Sequence, residues 1–168
     1  MKLRLPGLFF IFIALSWCAL AQEAAKEKKP APLFEVTSLK GKALKLEELK
    51  GKYVVLNFWF IHCAPCVKEL PKLNKLVTAY GKRNFVFIAF AMDNKYELED
   101  FLKKKPFTYN IIPKGLPVIM KYHDPSDPGV SFPTHVIIDP QGEIVFQAEG
   151  ASALGPLQKE LKRLAALK

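Results

Sequence analysis

Two cysteines stand three positions apart in residues 57–71, NFWFIHCAPCVKELP, where an apolar run gives way to a charged pattern with helical spacing. Thiols so placed can form a redox-active disulfide, a structural bridge or half of a metal site. Cys63 falls just past a strand and at the opening of a helix, where unpaired amides and the helix dipole favour a thiolate, so it is the expected attacking nucleophile. Cys66, one turn inward, is expected to stay protonated and to resolve a mixed disulfide by attacking Cys63. Pro65 restricts the loop between them and helps to tune the pair. A bridge across two intervening residues closes almost no loop and would add little stability. A zinc site usually draws on two such pairs, and only one is present; His62, His123 or His135 would have to complete a zinc or copper site with Cys63 and Cys66. Val67 rather than histidine follows Cys66, which excludes covalent haem attachment in its usual form.

The surrounding elements supply the frame. Residues 53–59, YVVLNFW, are β-branched and aromatic and too apolar to alternate, the pattern of a strand buried on both faces. Pro65 suits a first helical turn, and Leu70, Leu73, Leu76, Val77 and Tyr80 recur at helical spacing until Gly81. Residues 85–92, FVFIAFAM, predict a second buried strand, so strand, helix and strand form a right-handed parallel crossover. Asp93 or Asn94 can cap a helix ending before Pro106. FTYNII predicts a short extended segment at most. Residues 136–139 and 143–147 predict a hairpin through PQG, and residues 153–167 a closing amphipathic helix. Upstream, residues 33–52 predict a hairpin turning at Gly41 and leading into a helical turn, which would cover an edge of the main sheet. The expected fold class is α/β, a mixed sheet flanked by helices on both faces.

Lys2 and Arg4 precede an apolar run from Leu8 to Trp17, and Ala19-Leu20-Ala21 offers a cleavage site, so residues 1–21 read as a secretion signal cleaved after Ala21. The run of about 14 apolar residues is shorter than the ~20 of a membrane-spanning anchor. A lipoprotein box ending at Cys18 is the other reading, set against the bulk of Trp17. Residues 22–32, QEAAKEKKPAP, read as a disordered linker, leaving residues 33–168 as one domain. The net charge of +9 is spread over scattered lysines; the densest run, Lys103 to Lys105, fits a solvated helix face, and no nucleic-acid partner is expected.

The segments VVLNFWFIHCAPCVKELPKL and FPTHVIIDPQGEIV together resemble the thioredoxin superfamily, and most of all its exported TlpA-like thiol-disulfide oxidoreductases, from about residue 32 to the C-terminus. The resemblance implies a thioredoxin-like mixed sheet with the N-terminal hairpin as an extension. It implies that Pro133 is the cis-proline facing the cysteines and that Phe132 and Pro133 shape a substrate groove. Glu69 matches the glutamate of C-x-x-C-x-x-E-x-P, a proton acceptor for the inner thiol; by spacing alone it is also a solvated carboxylate beside Lys68 and Lys72. Thioredoxin itself uses a buried aspartate on the preceding strand, where this chain has Asn57. Trp59 reads as a core or site-wall aromatic, counted here with the substrate-binding residues. His62 stands where the family commonly has tryptophan, either tuning Cys63 or facing solvent, and His123 and His135 read as loop and strand residues.

The implied activity is reduction of disulfides in exported, periplasmic proteins, cytochrome c maturation being one setting. The redox-active disulfide is the only cofactor expected and no metal is assigned. A membrane electron donor would re-reduce the enzyme. Alternatives are a dithiol oxidase, a thiol peroxidase, although residues 58–62 lack the threonine a peroxidase would want, and a copper or zinc carrier.

Overall fold

The computed structural model describes residues 29–167; the expected signal segment and Cys18 lie outside the described residues. Six strands form one sheet in the order β1 (Lys29–Pro30), β8 (Glu143–Glu149), β7 (Thr134–Ile138), β4 (Tyr53–Trp59), β5 (Phe85–Ala91), β6 (Asn110–Ile112). β4, β5 and β6 run parallel, whereas β7 is antiparallel to both β4 and β8. The crossover from β4 to β5 is helix α1 (Ala64–Tyr80), as the periodicity predicts. α2 (Lys95–Lys104) follows β5, α3 (Leu116–Tyr122) follows β6, and α4 (Leu154–Ala165) closes the chain.

β4 is buried on both sides because its alternate residues feed two different cores. Val55 and Trp59 join Leu70 and Leu73 of α1, Leu98 of α2 and Leu157 and Leu161 of α4 on one face. Val54, Leu56 and Phe58 join Phe34, Leu44, Leu46 and, from α3, Ile119 and Tyr122 on the other. The hairpin β2 (Glu35–Thr37) and β3 (Ala43–Lys45) forms its own two-stranded sheet, turning at Gly41 with φ of 77° and running into a short 3₁₀ turn at Leu46–Leu49. It does more than cover an edge. Leu39 N–H donates to the Ile111 carbonyl of edge strand β6 at 2.9 Å, while Phe34, Leu44 and Leu46 roof one face.

The linker expected through Pro32 is too long at its inner end. Lys29 and Pro30 pair with Ile144 and Glu143, Ala31 N–H donates to Gly142 at 2.9 Å, and Ala31 is buried. Backbone pairing at a sheet edge asks for no apolar side chains, so composition gives no sign of it. The 3-residue β6 lies within the extended segment expected at FTYNII, whereas the 7-residue α3 is too short for a periodic signal.

Candidate active site

Cys63 occupies the N-cap of α1, with Pro65 in the first turn, and its Sγ accepts a hydrogen bond from Cys66 N–H at 3.3 Å. The two cysteines are joined in a disulfide, with Cα atoms 5.3 Å apart. Both residues are nearly buried, Cys63 at 5% exposure and Cys66 at 2%.

The loop that delivers Cys63 is held from β5. Met92 N–H donates to the Trp59 carbonyl at 3.2 Å, and Ile61 N–H donates to Asp93 Oδ2 at 2.9 Å. Of the two candidate caps for α2, Asn94 takes the role, forming a capping box with Glu97. Asp93 is thereby left to hold the cysteine loop. Burial pushes the Asp93 carboxyl above its ordinary range, outweighing the hydrogen bond from Ile61 that favours its ionised form.

The antiparallel register sets Phe58 opposite Thr134, which brings the preceding Phe132–Pro133 peptide beside the end of β4. That peptide is cis, and the Phe132 ring meets Phe60 edge-on at a centroid distance of 5.2 Å. Phe60, Phe132, Met92, Asp93 and Lys114 line an open cavity of about 540 Å³ next to the cysteine loop. Trp59 is not part of it. The indole is fully buried against Phe101 and Phe107, behind the site, so it forms core rather than groove wall. Its position at the inward-facing end of β4 is the reason. His62 is exposed and lines a separate depression with Lys68 and Lys105.

Glu69, on α1 one turn beyond Cys66, is buried at 6% exposure. Its Oε2 lies 3.0 Å from Nε2 of His135, a residue with 0% exposure. His135 Nδ1 in turn lies 3.2 Å from Asn57 Nδ2, and the two residues are direct partners across the β4–β7 ladder. The Tyr109 hydroxyl is pushed well above its ordinary range, first by burial and second by the charge of Glu69. Sequence reasoning took His135 for a strand residue or metal ligand and Asp93 for a candidate cap, and gave neither its contact at this site. For His135 the available signal was parity: it alternates with Val136 and Ile138 in a strand buried throughout, so it faces the same core as Ile137. Among the described residues no three His, Cys, Asp or Glu side chains form a group suited to a metal ion, and no helix is long and apolar enough to cross a membrane.

Residues 28–147 match the AhpC/TSA family. The chain belongs to that family. It is 36% identical over 148 residues to the thiol-disulfide oxidoreductase ResA of Bacillus anthracis, an alignment covering 84% of this chain and 82% of that protein. A thiol-disulfide oxidoreductase from Bacteroides fragilis superposes with a TM-score of 0.64 at 26% identity, over 79% of this chain and 99% of that one. A thiol:disulfide interchange protein of the thioredoxin family from Chlorobium tepidum superposes with a TM-score of 0.70 over 83% of this chain and 98% of that one; at 24% identity this likeness speaks to the fold. The thioredoxin-like fold expected from sequence is thus the fold found, and this family member is an oxidoreductase acting through thiols.

Proposed function

We propose that the protein reduces disulfides of exported proteins through Cys63 and Cys66. The observation that carries this reading is the Cys63–Cys66 disulfide at the mouth of α1, with Glu69 buried one turn further in. In the dithiol form the Cys63 thiolate attacks a substrate disulfide, forming a mixed disulfide and releasing one substrate thiolate. Glu69 takes the Cys66 proton, and the Cys66 thiolate attacks Cys63 Sγ, closing the enzyme disulfide and releasing the second substrate thiolate. Both released thiolates take up protons, so two electrons and two protons pass to the substrate. Phe132 and Pro133 flank the approach, and Pro65 and the exposed His62 border the attacking sulfur. The next cycle requires two electrons from a donor outside this chain, and a membrane-bound one suits an exported enzyme whose signal ends at Ala21.

Replacing Cys66 by serine tests the reading. The variant is expected to hold substrate as a stable mixed disulfide on Cys63, detectable by non-reducing electrophoresis and mass spectrometry. Failure to trap any disulfide substrate would overturn it. The reduction potential of the wild-type pair sets direction: about −250 mV or below fits a reductase, whereas a value near about −120 mV fits an oxidase.

A further inference from the structure

We infer that His135 is a positioning residue for this redox cycle: its Nε2–H holds the Glu69 carboxylate ready for the Cys66 proton, and Asn57 decides which ring nitrogen carries the hydrogen. The inference rests on the proposed role of Glu69 and extends it to a residue 66 positions away in sequence. His135 is wholly buried in a strand whose every residue is buried, a place where an aliphatic side chain would serve the core without burying a polar group. Its ring nitrogens are instead both engaged. Asn57 Nδ2 bears only hydrogens, so the His135 Nδ1 facing it accepts. A neutral ring then carries its one hydrogen on Nε2, directed at Glu69 Oε2. A donor so placed favours the ionised, proton-accepting carboxylate and fixes its orientation.

The surroundings separate orientation from proton escape. Glu69 lines a cavity of about 410 Å³ with Pro65, Lys68, Lys72 and Leu154, so a proton it receives has a route to solvent. His135 has 0% exposure and no such route, which makes it a support and not a relay. The other titratable groups facing the carboxylate are Lys68 and Lys72 from α1, which line the same cavity, and the Tyr109 hydroxyl from the segment before β6; α4 contributes Leu154, Gly155 and Gln158, none titratable. The Tyr109 hydroxyl has no hydrogen-bond partner among the described residues, leaving His135 as the one hydrogen-bonded donor to the carboxylate there.

The test is the pH profile for reduction of a peptide disulfide by the reduced protein, measured between pH 5 and 9 for wild type, His135→Leu and His135→Gln. Loss of the donor in His135→Leu destabilises the carboxylate, so the acid limb of the resolving step is expected to move toward alkaline pH by about one unit. His135→Gln, whose amide N–H can reach the same oxygen, is expected to bring the limb back toward wild type. An active wild type whose profile superimposes on that of His135→Leu overturns the proposal alone. A wild type inert at every pH overturns the reductase reading and the proposal with it. Should His135→Leu fail to fold, the imidazole ¹⁵N resonances of the wild-type protein decide: a neutral ring protonated at Nε2 is expected, and an Nδ1–H tautomer or an imidazolium at neutral pH overturns the proposal.

Discussion

The two faces of the central sheet are built by the same strands and bury very different chemistry. On the face roofed by the hairpin and α3, Val54, Leu56, Phe58, Ile88, Phe90, Val136 and Ile138 pack together, and Thr134 of β7, opposite Phe58, donates its hydroxyl to the Ser131 carbonyl. Tyr122 also belongs to that layer, and its hydroxyl is satisfied by the Pro32 carbonyl at 2.8 Å. On the cystine face, Val55, Trp59 and Ile137 are interleaved with Asn57 and His135, and Glu69 enters from α1. The buried side-chain atoms without a hydrogen-bond partner among the described residues, Asn57 Oδ1, Trp59 Nε1 and the Tyr109 hydroxyl, belong to residues of this same side. Each such atom costs about 1–3 kcal/mol. Both faces bury a large apolar cluster, and the cystine face also carries these polar groups with their cost.

Substitutions can break that division. The largest effect is expected on the cystine face: Cys63→Ser should abolish reduction of a peptide disulfide while shifting the thermal midpoint little, because the bridge closes so short a loop. Retained turnover would remove Cys63 from the attacking role. On the apolar face the outcome should invert. Phe58→Ala should destabilise the fold by about 3–5 kcal/mol in denaturant titrations yet leave turnover per folded molecule near wild type. Glu69→Gln sharpens the contrast, since it keeps the side-chain shape and removes the proton acceptor. The resolving step, followed by rapid-quench alkylation, should slow by about 10²-fold. An unchanged rate would assign the Cys66 proton to another acceptor.

The smallest effect is at Asp93, which follows β5 and holds the cysteine loop. Its carboxyl is raised, so the folded chain keeps that proton to higher pH than the unfolded chain does. Stability contributed by this group is therefore present at low pH and declines as pH rises from the ordinary carboxylate range through the raised one. Asp93→Asn keeps an acceptor for Ile61 N–H and removes the ionisation. At neutral pH it should be more stable than wild type by a few tenths of a kcal/mol, the size limited by solvent screening at this half-exposed site. The gain should vanish in acid; a gain equal at both pH values would mean that ionisation is not its source.

Much of the frame was legible because its signals are local. The apolar run of β4, the helical spacing after Pro65 and the capping position before α2 each depend on residues within a few positions of one another. β6 showed only as part of the short extended segment FTYNII, α3 was not legible because seven residues give under two turns of pattern, and the pairing of Lys29 and Pro30 with β8 uses backbone groups that any residue carries. The choice between Asp93 and Asn94 as the cap of α2 was left open for a related reason: both could serve, and only the approach of Ile61 N–H shows which was already engaged.

The amino-acid sequence by itself determined the chemistry available to this protein. Two thiols at a helix mouth and a carboxylate one turn beyond follow from residue type and near spacing, which the geometry of a helix converts directly into proximity. Only the tertiary structure decided what surrounds that chemistry. Antiparallel pairing of β4 with β7 set Asn57 against His135, and packing of α1 on the same face carried Glu69 to the ring's other nitrogen. That contact spans residues 57 to 135 and depends on strand register, where a slip of one residue would turn His135 to the apolar face, so no local pattern could reveal it.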